Sequence, residues 1–364
     1  MAGGTGSRFW PMSQADNPKQ FIDILNIGQS MLQTTFHRFE EICPRENIFV
    51  VTGREYVGHV HKQIPGLQPW QVLGEPIRRN TAPCIAYAAS VIGSLNPEAN
   101  IIVSPSDHAI FGTGSFMSDM RLALSITREH DCIVTLGVRP TAPNTSYGYI
   151  QFAEEGGIGN GEEPNQTPGM ERLHKVITFT EKPPIEVAKA FIATGEFFWN
   201  SGIFVWRLPV LQEAYRQFLP NVAQTFFTLT HETDAADVDY IYSQSESISV
   251  DFGIMEKATN VYVLETSFGW SDVESWETLY STFPANTDGN CIVSGKVFAY
   301  DVHDTIVHVP SNRTLVLQGL DGYIVAGDKN TLLVCRRDAE DRIVKFASDV
   351  ELDTLEKLKG KNGS

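Results

Sequence analysis

The 364 residues carry 42% hydrophobic and 20% charged side chains and a formal charge of -16, a balance that predicts a globular core in two domains or one large domain with an appendage. The sequence holds no run of about 18 apolar residues, the length that spans a bilayer, and no basic-then-apolar leader opens the chain, so cytoplasmic residence without a membrane partner is the expectation. Acidity of this size repels phosphate backbones and argues against nucleic acid as a partner, although a small nucleotide needs only a few local donors and a cation.

In chain order, Met1–Arg8 reads MAGGTGSR and leads into FWPMS and NPKQ. Gly3, Gly4 and Gly6 remove side chains where backbone N–H groups could wrap a phosphate, and Arg8 and Lys19 add fixed positive charge. A dinucleotide fingerprint would need glycine where Phe9 stands, and a P-loop would need GK followed by Ser or Thr. An oxidoreductase built on a dinucleotide is therefore disfavoured.

Beyond this start, short β-branched runs alternate with amphipathic stretches up to about residue 280, the pattern of an α/β layer fold. Strands are predicted over Asn47–Thr52, Asn100–Ser104, Cys132–Gly137, Val176–Thr180, Gly202–Trp206 and Val261–Thr266. Helices are predicted over Thr81–Leu95, with Thr81 as N-cap, over Ser115–His130 and over Pro184–Thr194. Gly156–Gly169 is rich in Gly, Pro and polar residues and reads as a loop, more readily a surface insertion than a lid. From Lys296 to Arg336 the runs KVFAYD, TIVHVP, TLVLQG, YIVAGD and TLLVCR are set apart by turn residues, which predicts a small all-β module shaped as a β-helix or β-roll. The expected division is a catalytic domain over 1–284 and a β-rich module over 285–364.

Asp107, in SPSDH, follows an apolar strand, and Asp272, in GWSDVESW, lies past another. Ligands of open α/β sheets bind beyond the carboxyl ends of strands, so the two carboxylates could share one Mg²⁺ with phosphate oxygens and water. Taken singly, each aspartate reads more readily as a cap for the turn that follows it. The five cysteines (Cys43, Cys84, Cys132, Cys291 and Cys335) are odd in number and widely spaced without a CxxC, and the histidines form no HExxH. Reduced thiols are expected, with neither a disulfide framework nor a zinc site.

GGTGSR followed by PKQ resembles the sugar-nucleotide pyrophosphorylases. EPIRRNTAP at Glu75–Pro83 resembles their guanylyl-transferring branch, and the further elements YGYI, TEKP, WNSG and SVDFG occur in the family's order. The resemblance implies a Rossmann-like fold for transferring nucleotide-diphospho-sugars, with a mixed, mostly parallel central sheet and a small C-terminal β module. It implies GTP and mannose 1-phosphate as substrates, with Mg²⁺ on Asp107 and Asp272 and the triphosphate on Gly3, Gly4, Gly6, Arg8 and Lys19. Glu75, Asn80 and Thr81 would meet the guanine and ribose. Gly148, Glu181, Lys182, Asn200 and, with a structural turn as an equal reading, Asp251 would meet the sugar phosphate. Arg8, Lys19 and Lys182 would carry the charge neutralisation that catalysis needs.

The family's apolar strand ahead of AGG would end at Met1 here, so a shortened central strand is expected. Longer relatives carry an extra C-terminal isomerase domain, which is not expected in a sequence that ends at Ser364. Rival readings are the same chemistry on another sugar or nucleotide, such as UTP or dTTP with glucose 1-phosphate, and a non-catalytic regulator that binds nucleotide sugars. A homodimer through the C-terminal module is a further possibility.

Overall fold

The computed structural model describes residues 1–4, 6–153, 158 and 168–361. Residues 156, 157 and 159–167 of the predicted Gly-rich loop lie outside the described residues; its last residue, Gly169, is left-handed and opens a 3₁₀ turn. The strands run β1 (Val50–Gly53), β2 (Val72–Glu75), β3 (Asn100–Val103), β4 (Ala109–Phe111), β5 (Ile133–Val138), β6 (Tyr149–Phe152), β7 (Leu173–Thr180), β8 (Phe197–Arg207), β9 (Val261–Glu265) and β10 (Gly269–Ser271), then β11 (Cys291–Ser294), β12 (Lys296–Tyr300), β13 (Ile306–His308), β14 (Thr314–Gln318), β15 (Tyr323–Gly327) and β16 (Leu332–Arg336). The helices are α1 (Met31–Glu40), α2 (Val57–Gln63), α3 (Thr81–Leu95), α4 (Thr113–Glu129), α5 (Ile185–Thr194), α6 (Leu208–Phe218), α7 (Pro220–Phe226), α8 (Ala235–Gln244), α9 (Trp276–Thr282) and α10 (Ile343–Lys361). None of the described helices is long and apolar enough to cross a membrane.

Two compact units form. The first gathers Met1–Gly3, Phe36–Pro105 and Ile110–Trp270; the second gathers Gly4–Thr35, Ser106–Ala109 and Ser271–Ser364.

In the first unit a six-stranded sheet runs β3-β8-β5-β9-β7-β6, and β6 also pairs with β8. Period-2 alternation along β5 and β9 sends Ile133 and Val263 to one face and Val134 and Leu264 to the other. Both faces are covered. Apolar residues of α3, α6, α7 and α8 pack on the first, and Phe116, Met117, Met120, Ala123 and Ile126 of α4 pack on the second. This burial explains why CIVTLG reads as a continuous apolar run rather than an alternating one. The sheet is mixed as expected, but fewer of its pairings are parallel than a mostly parallel sheet implies. Among the described residues only its β5–β9 pairing is parallel, because the long strand β8 runs antiparallel to β3, β5 and β6, and β7 runs antiparallel to β6 and β9. The parallel pair β1–β2 stands as a separate two-stranded sheet. Of a strand at the start of the chain there is one parallel bridge, Ala2 to Thr52, with the Ala2 N–H donating to the Val51 carbonyl at 2.7 Å.

In the second unit the chain winds so that successive strands alternate between two sheets. β11, β13 and β15 lie parallel and β16 closes the sheet antiparallel, while β12 and β14 pair in parallel. Val307, Val309 and Val325 are buried together with Val297, Leu315 and Leu317 at their border. All five predicted runs are strands. The stretch after Arg336, in which alternation predicts nothing, turns through a 3₁₀ segment into α10.

Candidate functional site

The second unit holds Gly4, Gly6, Arg8, Lys19, Asp107 and Asp272. Lys19 is their centre. Its side chain is only 6% exposed, and Nζ lies 2.9 Å from Asp107 Oδ2. The same Nζ donates to the backbone oxygens of Asp272 at 2.9 Å and Val273 at 3.0 Å. An ammonium has three N–H donors, and a carboxylate and two backbone oxygens accept from them here. One cation thereby joins the loop after β3 to the loop after β10. Burial pushes the Asp107 carboxyl up, but the charges of Lys19 and His108 and the Lys19 hydrogen bond outweigh it and hold it below the ordinary range.

Gly6 is needed for this packing. Its φ is 55°, and a Cβ there would stand 2.5 Å from Lys19 Cβ and 2.9 Å from Ser13 Oγ. Arg8 is at the surface and pairs with Glu274 at 3.2 Å. Asp272 Oδ1 accepts from the Glu274 N–H at 3.1 Å, so the turn-capping reading holds for this residue beside any other role. Between them Val273, fully buried and β-branched, sits at φ 45°. A β-branched residue in that region is strained by about 1–3 kcal/mol, and no sequence signal marks it.

The first unit holds Gly3 and the remaining candidates. Gly148, Glu181, Asn200 and Asp251 come together there. The Asn200 N–H donates to the Gly148 carbonyl at 2.8 Å, and Asn200 Nδ2 donates to Asp251 Oδ1 at 2.8 Å. Asn200 Oδ1 accepts from the Gly202 N–H at 3.0 Å, which fixes the amide's orientation. A Cβ on Gly148 would fall 2.6 Å from Glu181 Oε2, so the close approach this glycine permits is that of a carboxylate. Burial raises the Asp251 carboxyl, opposed by the Asn200 hydrogen bond and the charge of Lys182. Lys182 itself is left-handed, at φ 47°. The YGYI segment enters β6, which pairs on both sides, with β7 and with β8. Tyr147 meets Trp199 and Trp270 edge to face, and the Tyr149 hydroxyl turns back to the backbone of Asn144.

EPIRRNTAP begins at the end of β2 and ends in α3. The helix spans Thr81–Leu95 as predicted, but its N-cap is Asn80, at φ 68°, whose Oδ1 accepts from the Thr81 N–H. The positive φ is paired with ψ -168°, a strained backbone that is held where the Asn80 side chain caps the helix. The Thr81 hydroxyl instead accepts from the Val250 N–H at 2.8 Å, one residue before Asp251. Glu75 is buried, and its Oε1 accepts from the Tyr242 hydroxyl at 3.0 Å. Burial pushes its carboxyl up to about 7, with Tyr242, the α-amino group of Met1 and Arg78 opposing and Glu55 adding. Tyr242, on α8, belongs to none of the motifs that mark site residues in the sequence.

The nucleotidyl transferase family model matches residues 1–289. The chain belongs to this family. It is 32% identical to a xanthan biosynthesis protein of Xanthomonas campestris, over 96% of this chain and 72% of that one. It is 31% identical to the mannose-1-phosphate guanylyltransferase of Escherichia coli K12, over 97% of this chain and 73% of the other. A crystal structure from Thermus thermophilus, described as a mannose-1-phosphate geranyltransferase, superposes with a TM-score of 0.84 at 27% identity, covering 96% of this chain and 98% of that one.

Among the described residues no three His, Cys, Asp or Glu side chains cluster as a complete metal cage. Magnesium does not require one, since it is held by one or two carboxylates with phosphate oxygens and water. Asp107 and Asp272 carry hard oxygen donors of the type such an ion takes, and Lys19 ties the carboxylate of one to the main chain of the other.

Proposed function

We propose that the chain transfers a guanylyl group from GTP to mannose 1-phosphate, giving GDP-mannose and pyrophosphate, with Mg²⁺ and in the cytoplasm. The observation that carries this reading is the likeness to the Escherichia coli guanylyltransferase along 97% of the chain. Five unpaired cysteines suit a reducing compartment.

A phosphate oxygen of mannose 1-phosphate attacks the α-phosphorus of GTP in line. The new P–O bond forms as the bond to the β-phosphate oxygen breaks, and pyrophosphate leaves with the electron pair. The attacking phosphate monoester is already anionic near neutral pH, so no protein base or nucleophile is needed. Catalysis then comes from positioning and charge. Bound Mg²⁺ would supply neutralisation of phosphate charge at Asp107 and Asp272. Lys19 holds Asp107 in place, and Arg8 and the Gly3, Gly4 and Gly6 segment offer charge and N–H groups to the triphosphate. Glu75, Asn80 and Thr81 receive the guanine and ribose. Glu181, Asn200 and Asp251 receive the hexose hydroxyls, with Gly148 leaving room and Lys182 meeting the sugar phosphate. Pyrophosphate release in a panel of nucleotides and sugar phosphates tests the reading. Release with UTP or dTTP and glucose 1-phosphate instead would favour a different specificity, and binding of GDP-mannose without release would favour a regulator.

A further inference from the structure

We propose that Tyr242, together with the end of α8 that carries it, is the positioning element that fixes Glu75 for reading the nucleobase. The inference rests on the reading of Glu75 as the acceptor of the guanine N–H groups.

The geometry is a clamp at two points of one motif. The Tyr242 hydroxyl donates to Glu75 Oε1 at 3.0 Å. The Tyr242 backbone oxygen accepts from Arg79 Nε at 3.1 Å, and the Ser243 carbonyl accepts from Arg79 Nη2. One turn of α8 thus grips the first residue and the fifth residue of EPIRR. The ring cannot swing, because it is fully buried edge to face between Tyr87 and Phe226. The helix is held in turn by Asp239, which pairs with Arg54 in the turn after β1.

A carboxylate has two oxygens, and a bond that fixes one of them sets the direction of the other. Guanine presents N1–H and an exocyclic amino group side by side, and hypoxanthine lacks the amino group. Discrimination between the two depends on a carboxylate that is ionised and held still. The groups bearing on Glu75 are Tyr242 from α8, Tyr87 and Cys84 from α3, Arg78 in the motif itself, Glu55 after β1 and the α-amino group of Met1. The Tyr242 hydrogen bond favours the ionised form, so its loss moves the titration of Glu75 upward.

The test compares wild type, Tyr242→Phe, Glu75→Gln and the double variant with GTP and ITP across pH 5.5 to 8.5, with mannose 1-phosphate saturating. Wild type should prefer GTP, with a KM for GTP that falls as pH rises through about 7. Tyr242→Phe should lower the GTP-over-ITP preference about tenfold, the scale of one misdirected hydrogen bond, and move the pH limb upward. Its kcat at saturating GTP and its KM for mannose 1-phosphate should be unchanged. Glu75→Gln should abolish the limb, and adding Tyr242→Phe to it should change the preference no further. A wild-type enzyme indifferent to the base would overturn the reading of Glu75 and the proposal with it. A wild-type preference that Tyr242→Phe leaves intact, with the pH limb in place, would overturn the positioning role alone. Should Tyr242→Phe fold poorly, equal loss with GTP and ITP in the remaining folded enzyme would also overturn it.

Discussion

Lys19 Nζ stands 2.9 Å from Asp107 Oδ2, with the same nitrogen bonded to the main chain of Asp272 and Val273. A lysine this buried, with every donor engaged, orders the acidic loops around it. Lys19→Met should therefore damage both fold and turnover. The cost to stability is about 1–3 kcal/mol, less than for a fully buried pair because Asp107 remains 27% exposed. Urea unfolding of Lys19→Met, Asp107→Asn and the double variant measures it, and the double variant should be more stable than the sum of the singles implies. The ion pair's contribution is present above the ordinary aspartate pKa and is lost as pH falls, because Asp107 titrates below its ordinary range in the fold.

Asp107→Asn and Asp272→Asn should each lower turnover by orders of magnitude while circular dichroism remains that of the parent. Each should also shift the Mg²⁺ concentration for half-maximal rate upward. Near-parental rates at saturating Mg²⁺ would remove that residue from the role assigned to it.

Glu75 gives the stability curve a specific shape. Its carboxyl titrates near 4.5 when exposed and about 7 in the fold, so the folded state binds the extra proton between these values. The contribution of Glu75 is most favourable below pH 4.5, declines as pH rises through this window, and above it is a cost on the order of 3 kcal/mol. Glu75→Gln, which keeps an acceptor for Tyr242, should flatten that fall. Thermal denaturation of both proteins from pH 4.5 to 8 reads it out, and parallel curves would contradict the assignment.

Gly148→Ala places a methyl group 2.6 Å from Glu181 Oε2 and 3.4 Å from Asn200 Cβ. The carboxylate must move. The KM for the sugar phosphate should rise about tenfold or more, as expected for a positioning group displaced by about an ångström, with the KM for GTP little changed. Steady-state kinetics with each substrate varied in turn separates the two.

The sequence made some parts of this molecule plain and hid others for physical reasons. CIVTLG and VYVLET announce β5 and β9 because burial on both faces demands unbroken apolar runs. The helix at α3 is legible to the residue, yet its cap is not: Asn80 takes that place with a positive-φ backbone that only the surrounding structure imposes. The candidate residues were found as separate motifs, but their neighbours across the fold were not. Asn200 meets Asp251 across 51 positions, and Glu75 meets Tyr242 across 167. The charge of Lys19 is visible in the chain, but the two backbone oxygens and the carboxylate that accept from it are brought in by folding.

The most direct measurement is the rate of pyrophosphate release from GTP with mannose 1-phosphate and Mg²⁺, run beside UTP, dTTP and glucose 1-phosphate. The account predicts rapid release with GTP and mannose 1-phosphate and release lower by at least about tenfold when either is exchanged, a difference of about 1.4 kcal/mol in transition-state binding. Equal or faster release with another pair, or none with any pair from folded protein, would contradict it.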